Sequence, residues 1–264
     1  MRRALANTLL TAALALATAA HAGRPCEEKP QTTQQVELGL KLAQATAQQL
    51  EASGAQVAIL ARAGQDLSKY GLQWSHLGFA YRDARQQPAV WRVMHKLNHC
   101  GTDHAALFRQ GLGEFFLDSP HRYDAAFVVL KPELQQALLP VLTDNARVVR
   151  FNERRYSMVS YAFGTTYQQS NQWVLETLAG AAAPGINNRR SAQDWLKAQG
   201  YQPTDLRLSA LTRLGGRLTQ ANIAFDDHPT ARRIGRHIDT VTADSMFAWL
   251  PRAGLSEPLQ LVKQ

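Results

Sequence analysis

Trp74–Tyr81 reads WSHLGFAY and Val90–Leu97 reads VWRVMHKL, with the turn-like RDARQQP at 82–88 lying between them. Both stretches are rich in aromatic and branched residues and are bounded by polar ones, the pattern of two strands that pair antiparallel across a turn. Upstream, QVAILA (Gln56–Ala61) is a short apolar run before Gly64 and reads as a buried strand. Downstream, AAFVVL (Ala125–Leu130) reads as a fourth strand, and a fifth short extended run is expected near Tyr156–Ala162.

Helices flank this set. Between Thr32 and Ser53, Val36, Leu40, Ala43, Ala47 and Leu50 recur at steps of three and four, and Gly54 follows. This is an amphipathic helix with a glycine stop. Pro132, at an N1-type position, opens a short helix through about Leu139. Val174, Leu175 and Leu178 place another helix directly behind Ser170. The segment after Gly101 mixes helix and loop signals. From Ala183 onward the chain turns to helices with polar faces, at Ser191–Gln199, Leu206–Leu218 and Asp244–Leu250. A helix, then strands in hairpin order, then more helices, gives an α+β protein with a small antiparallel sheet. Three segments are expected: a signal peptide at 1–22, an α+β core at 23–182 and a helical C-terminal extension at 183–264 packed on that core.

The signal reading rests on Arg2 and Arg3, an uncharged apolar run from Ala4 to Ala20, and small residues at Ala20 and Ala22. Cleavage after Ala22 predicts a periplasmic or secreted protein with no later membrane span. It also removes two arginines and no acid, so the net charge falls from +8 to +6. The basic residues are scattered, and no aromatics are interleaved with Arg189/Arg190 or Arg232/Arg233, so no nucleic-acid platform is indicated. No GxGxxG or GKT/GKS loop occurs, which argues against nucleotide chemistry, and no cofactor is called for. The two cysteines, Cys26 and Cys100, suit one disulfide in an oxidising compartment, a loop worth up to about 4 kcal/mol. The alternative is two buried thiols.

Three groups can carry chemistry. His76 shares a strand face with the small Gly78 and Ala80, which leaves room beside the imidazole. Ser170 stands at or near a helix N-terminus, either as an ordinary cap or as a nucleophile facing the positive end of the helix. A serine there needs a well-placed base. The run HKLNHCGTDH supplies His95, His99, Cys100 and His104, residue types that a zinc site uses, although Lys96 stands where HExxH enzymes carry glutamate. His95 also lies on the strand expected to pair with that of His76, so the two rings can meet.

GRPCEEKP, GQDLSKYGLQWSHLGFAYRD, HKLNHCGTDHAALFRQGLGEFFLDSP, YQQSNQWVLETLAG and NIAFDDHP together resemble a secreted bacterial family, domain-of-unknown-function family 2145. The resemblance covers nearly the whole chain after the signal. More loosely, a SHLGF strand followed well downstream by a nucleophile at a helix start is similar to the circularly permuted branch of the papain-like cell-wall amidases and endopeptidases. That similarity implies a permuted papain-like fold, with His76 as base, His95 as the group that orients it, and Ser170 in the position of the family's cysteine. It implies either hydrolysis of an amide or ester in a peptide-like or acyl, peptidoglycan-type substrate, or an inert binding module of the same fold. The zinc-binding alternative uses the His95/His99/His104 cluster.

Overall fold

The structure is a computed structural model and describes residues 30–263. The signal segment, its cleavage position and Cys26 therefore lie outside the described residues. Helix α1 (Thr33–Ala52) begins where Thr32 and Gln35 exchange side-chain and backbone hydrogen bonds, 3.2 and 2.9 Å long. It stops at Ser53, after which Gly54 turns the chain at φ +68°, a conformation that a residue without Cβ adopts at no steric cost.

Strands β1 (Val57–Ala63), β2 (His76–Asp83), β3 (Val90–Asn98) and β4 (Ala105–Gly111) follow, then the single turn α2 (Leu112–Phe116) and strand β5 (Arg122–Val129). With β8 (Gln260–Val262) they form a six-stranded antiparallel sheet in the order β4-β3-β2-β1-β5-β8. The expected pairing of the second and third strands is present, with Phe79 opposite Met94 and Tyr81 opposite Arg92.

Every residue of β1 is buried, because this central strand is covered on both faces. Its odd-numbered side, Val57, Ile59, Ala61 and Ala63, joins Leu77, Phe79, Tyr81, Ala126 and Val128 against Leu134 and Leu138 of α3 (Pro132–Leu142) and Trp173 and Val174 of α5 (Ser170–Ala182). The even-numbered side joins Ala80, Val93 and Phe127 against Leu42 and Leu50 of α1 and Phe115 and Phe116 of α2. The alternation of a strand thus assigns each side chain to one of two separate cores.

The remaining elements are α4 (Asn145–Val148), α6 (Arg189–Ala198), β6 (Thr204–Arg207), α7 (Ala210–Thr219), α8 (Thr230–Ile234), β7 (His237–Thr240) and α9 (Ala243–Trp249). Several expectations are corrected. No strand forms at Tyr156–Ala162, whose backbone finds scattered partners instead of a ladder. Tyr156 N donates to Asp103 O, Met158 N to Asn222 O and Ala162 N to Asp239 O. The segment after Gly101 holds β4, a half-exposed edge strand with little alternation to betray it. The last third is not purely helical: Leu206 falls on β6, which pairs with β7 over a small core of Leu206, Leu208, Phe225 and Ile238. Strand β8 returns to the main sheet beside β5. Helix α3 runs on to Leu142 with Pro140 inside it.

Candidate functional site

His76 opens β2 opposite Arg62 of β1, and His95 is fully buried near the end of β3. His76 Nε2 and His95 Nδ1 are 2.8 Å apart and share a hydrogen bond, one ring donating and the other accepting. The rings meet edge to face at 70°. What allows this approach is Gly78. A Cβ added there would lie 2.8 Å from His95 Cβ, 2.8 Å from Val93 Cγ1 and 2.9 Å from the Met94 carbonyl oxygen. The small residue noted beside His76 in the sequence therefore makes space for the second histidine.

Phe115 of α2 packs against both imidazoles, with ring centroids 6.0 Å from His76 and 5.3 Å from His95. The Arg62 guanidinium sits 4.7 Å over the other side of that aromatic system. It bonds the Phe115 carbonyl and pairs with Asp118. Burial holds the His76 pKa well below its usual range, and the positive charge of Arg62 lowers it further. Burial and Arg62 together bring His95 down to about 3. The Gln110 side chain opposes that shift without reaching hydrogen-bond geometry, and His95 Nε2 is buried with no partner. Both rings are consequently neutral at pH 7.

Ser170 is the first residue of α5 and is buried. The cap before it is Gln169, whose Oε1 accepts from Asn171 N at 2.8 Å and whose amide group donates to the Val241 carbonyl. The serine is therefore not the cap. The buried Tyr156 phenol lies against Ser170; burial raises its pKa, and hydrogen bonding to Ser170 opposes the rise. Asn171 Oδ1 accepts from Leu77 N at 3.1 Å, which fastens the first turn of α5 to the start of β2, one residue from His76. No hydrogen bond joins Ser170 to either histidine among the described residues. The structure thus brings His76 and His95 together on the Phe115 face of the sheet and fastens the helix of Ser170 to the opposite face, so the expected grouping of the three residues does not form. Nearby, Asn98 clamps the β3–β4 turn through Thr102 O and His104 O, both 2.8 Å away. Tyr161 stacks near Phe163 and His228.

The zinc cluster does not assemble. His95 faces the interior with Nδ1 committed to His76, the ring of exposed His99 stands edge-on to Phe108, and His104 Nδ1 pairs with Asp103 at 2.6 Å. Among the described residues no group of three or more His, Cys, Asp or Glu side chains is placed to hold a metal ion. Strand geometry is the reason: residues four apart on an extended chain do not share the close spacing they have on a helix.

A second polar cluster went unread in the sequence. Lys96, next to His95 but on the opposite face of β3, is fully buried. Its ammonium donates to Glu153 O and, at 2.7 Å, to Gln168 Oε1. Glu176 of α5, also fully buried, accepts from Arg189 Nε at 2.7 Å and Gln193 Nε2 at 2.6 Å. Burial raises the Glu176 pKa against the pull of Arg189 and lowers Lys96 to about 7. The sequence signal was a lysine next to His95 between Met94 and Leu97, on a strand expected to be half-buried.

The arrangement defines an α+β protein with a paired-histidine site on a central antiparallel sheet. Residues 49–250 match the family described as an uncharacterized protein conserved in bacteria, DUF2145. The chain belongs to that family. No curated protein and no solved structure matches it.

Proposed function

We infer that the protein is exported to the cell envelope and binds a peptide-like or acyl ligand of the peptidoglycan type without turning it over. The observation that carries this reading is the neutral His76–His95 pair beside the Arg62 guanidinium. A catalytic imidazole must take a proton, and a nearby carboxylate or other anion stabilises the imidazolium. Here the fixed charge acting on both rings is positive and opposes that step. Ser170 also has the weaker nucleophile of the two residue types and needs a base that is both placed and basic. What remains are two sets of hydrogen-bonding groups on opposite faces of the sheet: the Ser170 and Tyr156 hydroxyls at the capped start of α5, and the His76 ring beside Phe115. These suit a ligand carbonyl or carboxylate.

A second reading, hydrolysis through Ser170, is favoured by the His76–His95 contact, which reproduces the base-and-orienter part of a triad. Intact-mass analysis after treatment with a fluorophosphonate separates the two. Binding without turnover predicts no adduct on Ser170, together with a shift of the His76 imidazole resonances on adding a muropeptide. An adduct that Ser170→Ala and His76→Ala both abolish would replace this reading with the hydrolase. Neither adduct nor shift would remove both. For protein exported by a bacterial host, the same mass reports whether the chain starts at Gly23 with Cys26 and Cys100 joined, as the envelope assignment expects.

A further inference from the structure

Helix α7, ALTRLGGRLT, has no buried residue. Leu211 is 81% exposed, Leu214 54% and Leu218 76%. At 100° per residue these three leucines fall within one arc of about 60°. Gly216 lies almost opposite that arc, and a Cβ there would be in ordinary contact with Ile223, 3.5 Å away. The helix therefore rests on the protein by its glycine side and turns its leucines outward. Capping holds it in place, with Ser209 Oγ accepting from Thr212 N at 3.1 Å.

The formal charge within this segment has one sign, with acidic partners just outside it: Arg207 pairs with Asp205 at 3.1 Å and Arg232 with Asp239. From Leu206 to Phe225 there is no Asp or Glu, while Arg207, Arg213 and Arg217 fall within it. Arg217 lies along one flank of the leucine arc, while Arg213 sits on the glycine side and donates to the Leu208 carbonyl at 2.8 Å. Ile234 at the end of α8 is 74% exposed and sits among Arg232, Arg233 and Arg236. A second copy of the chain meeting this face about a twofold axis would bring like charges together, which costs energy. A polyanionic, apolar-cored surface satisfies both features at once. No described helix is long and apolar enough to cross a bilayer; an exposed apolar ridge with a basic residue on its flank matches the pattern of a helix lying on a membrane surface.

We propose that α7 is a membrane-surface anchor. Leu211, Leu214 and Leu218 enter the acyl boundary of an anionic phospholipid bilayer while Arg217 contacts its headgroups. The inference stands apart from the ligand reading above, because it uses no residue of the histidine site.

The test is flotation of the purified full-length chain, without its signal, with vesicles of phosphatidylethanolamine and phosphatidylglycerol in roughly 2:1 proportion, against vesicles of phosphatidylcholine alone. Expected are binding to the anionic vesicles that weakens as salt rises, and at least a tenfold loss for Leu211→Gln/Leu214→Gln/Leu218→Gln and for Arg217→Glu. Circular dichroism of each variant checks that the fold is kept, which the exposure of these side chains favours. Equal binding to both vesicle types, or anionic binding unchanged in the folded triple variant, overturns the proposal. So does a dimer in sedimentation that the triple leucine variant converts to monomer, which would assign the ridge to a second copy.

Discussion

Gly78 is where one atom decides the site. Its missing Cβ leaves the space that His95 Cβ and Val93 Cγ1 occupy, and the Met94 carbonyl backs that space with rigid main chain. Gly78→Ala must therefore push β2 and β3 apart. The expected cost is about 1–3 kcal/mol of stability, read from the urea midpoint, together with loss of the His76–His95 hydrogen bond, read from imidazole nitrogen shifts. A variant with wild-type stability and unchanged shifts would show that the strands yield without strain. The sequence made His76 and Gly78 legible as a pair because strand alternation is a local property. It did not reveal that Phe115, Arg62 and Asp118 complete the surroundings, since these come from α2, β1 and the loop after α2.

At the level of elements, α5 and α6 are joined through charge buried between them. Glu176 on α5 is fully buried, and Arg189 at the start of α6 is nearly so, the two groups 2.7 Å apart. Removing one partner of such a pair leaves an uncompensated charge in a low-dielectric site, which typically costs about 3–5 kcal/mol. Arg189→Met is expected to lower stability by that order in denaturant unfolding, and Arg189→Met/Glu176→Gln to recover part of the loss because the orphaned charge is removed with its partner. Equal losses in the single and double variants would mean that Arg189 acts through its bonds to the Gly164, Thr165 and Tyr167 carbonyls instead. These helices were readable from periodicity, and α1, α5, α6 and α9 begin within two residues of where the pattern puts them. Strand β4 and the loop over Tyr156–Ala162 were not. The first is an edge strand paired on one side, and the second takes its hydrogen bonds from distant loops.

The whole molecule carries its histidine pair as a proton-linked element. The folded-state pKa of His95, about 3, and that of His76 lie below the unfolded value of 6.5. The unfolded chain then binds more protons as pH falls from 6.5 toward 3, and stability drops over that window by up to about 1.4 kcal/mol per pH unit for each ring. Full stability from these groups is present above pH 6.5. The urea midpoint is expected to fall between pH 7 and pH 5, and His95→Gln to flatten that slope. A midpoint equally pH-dependent in wild type and variant would locate the protons elsewhere. Lys96, lowered to about 7 from 10.5, acts at the other end: the unfolded chain holds the extra proton between those values, so its contribution grows as pH rises from 7.

The sequence alone determined the class of fold and the hairpin of β2 and β3, and with it that His76 and His95 could meet, because alternation along a strand and pairing across a turn depend on near neighbours. It also placed Ser170 at the start of a helix. Tertiary structure decided what those residues meet. The sheet divides its two faces between separate cores, sending His95 toward Arg62 and Phe115 and Lys96 toward Glu176, although the two are adjacent in the chain. It pulled His99 and His104 away from any shared ligand position, gave the cap of α5 to Gln169, and left the leucines of α7 facing outward. Burial, charge environment and exposure arise from contacts between distant segments, and no local pattern encodes them.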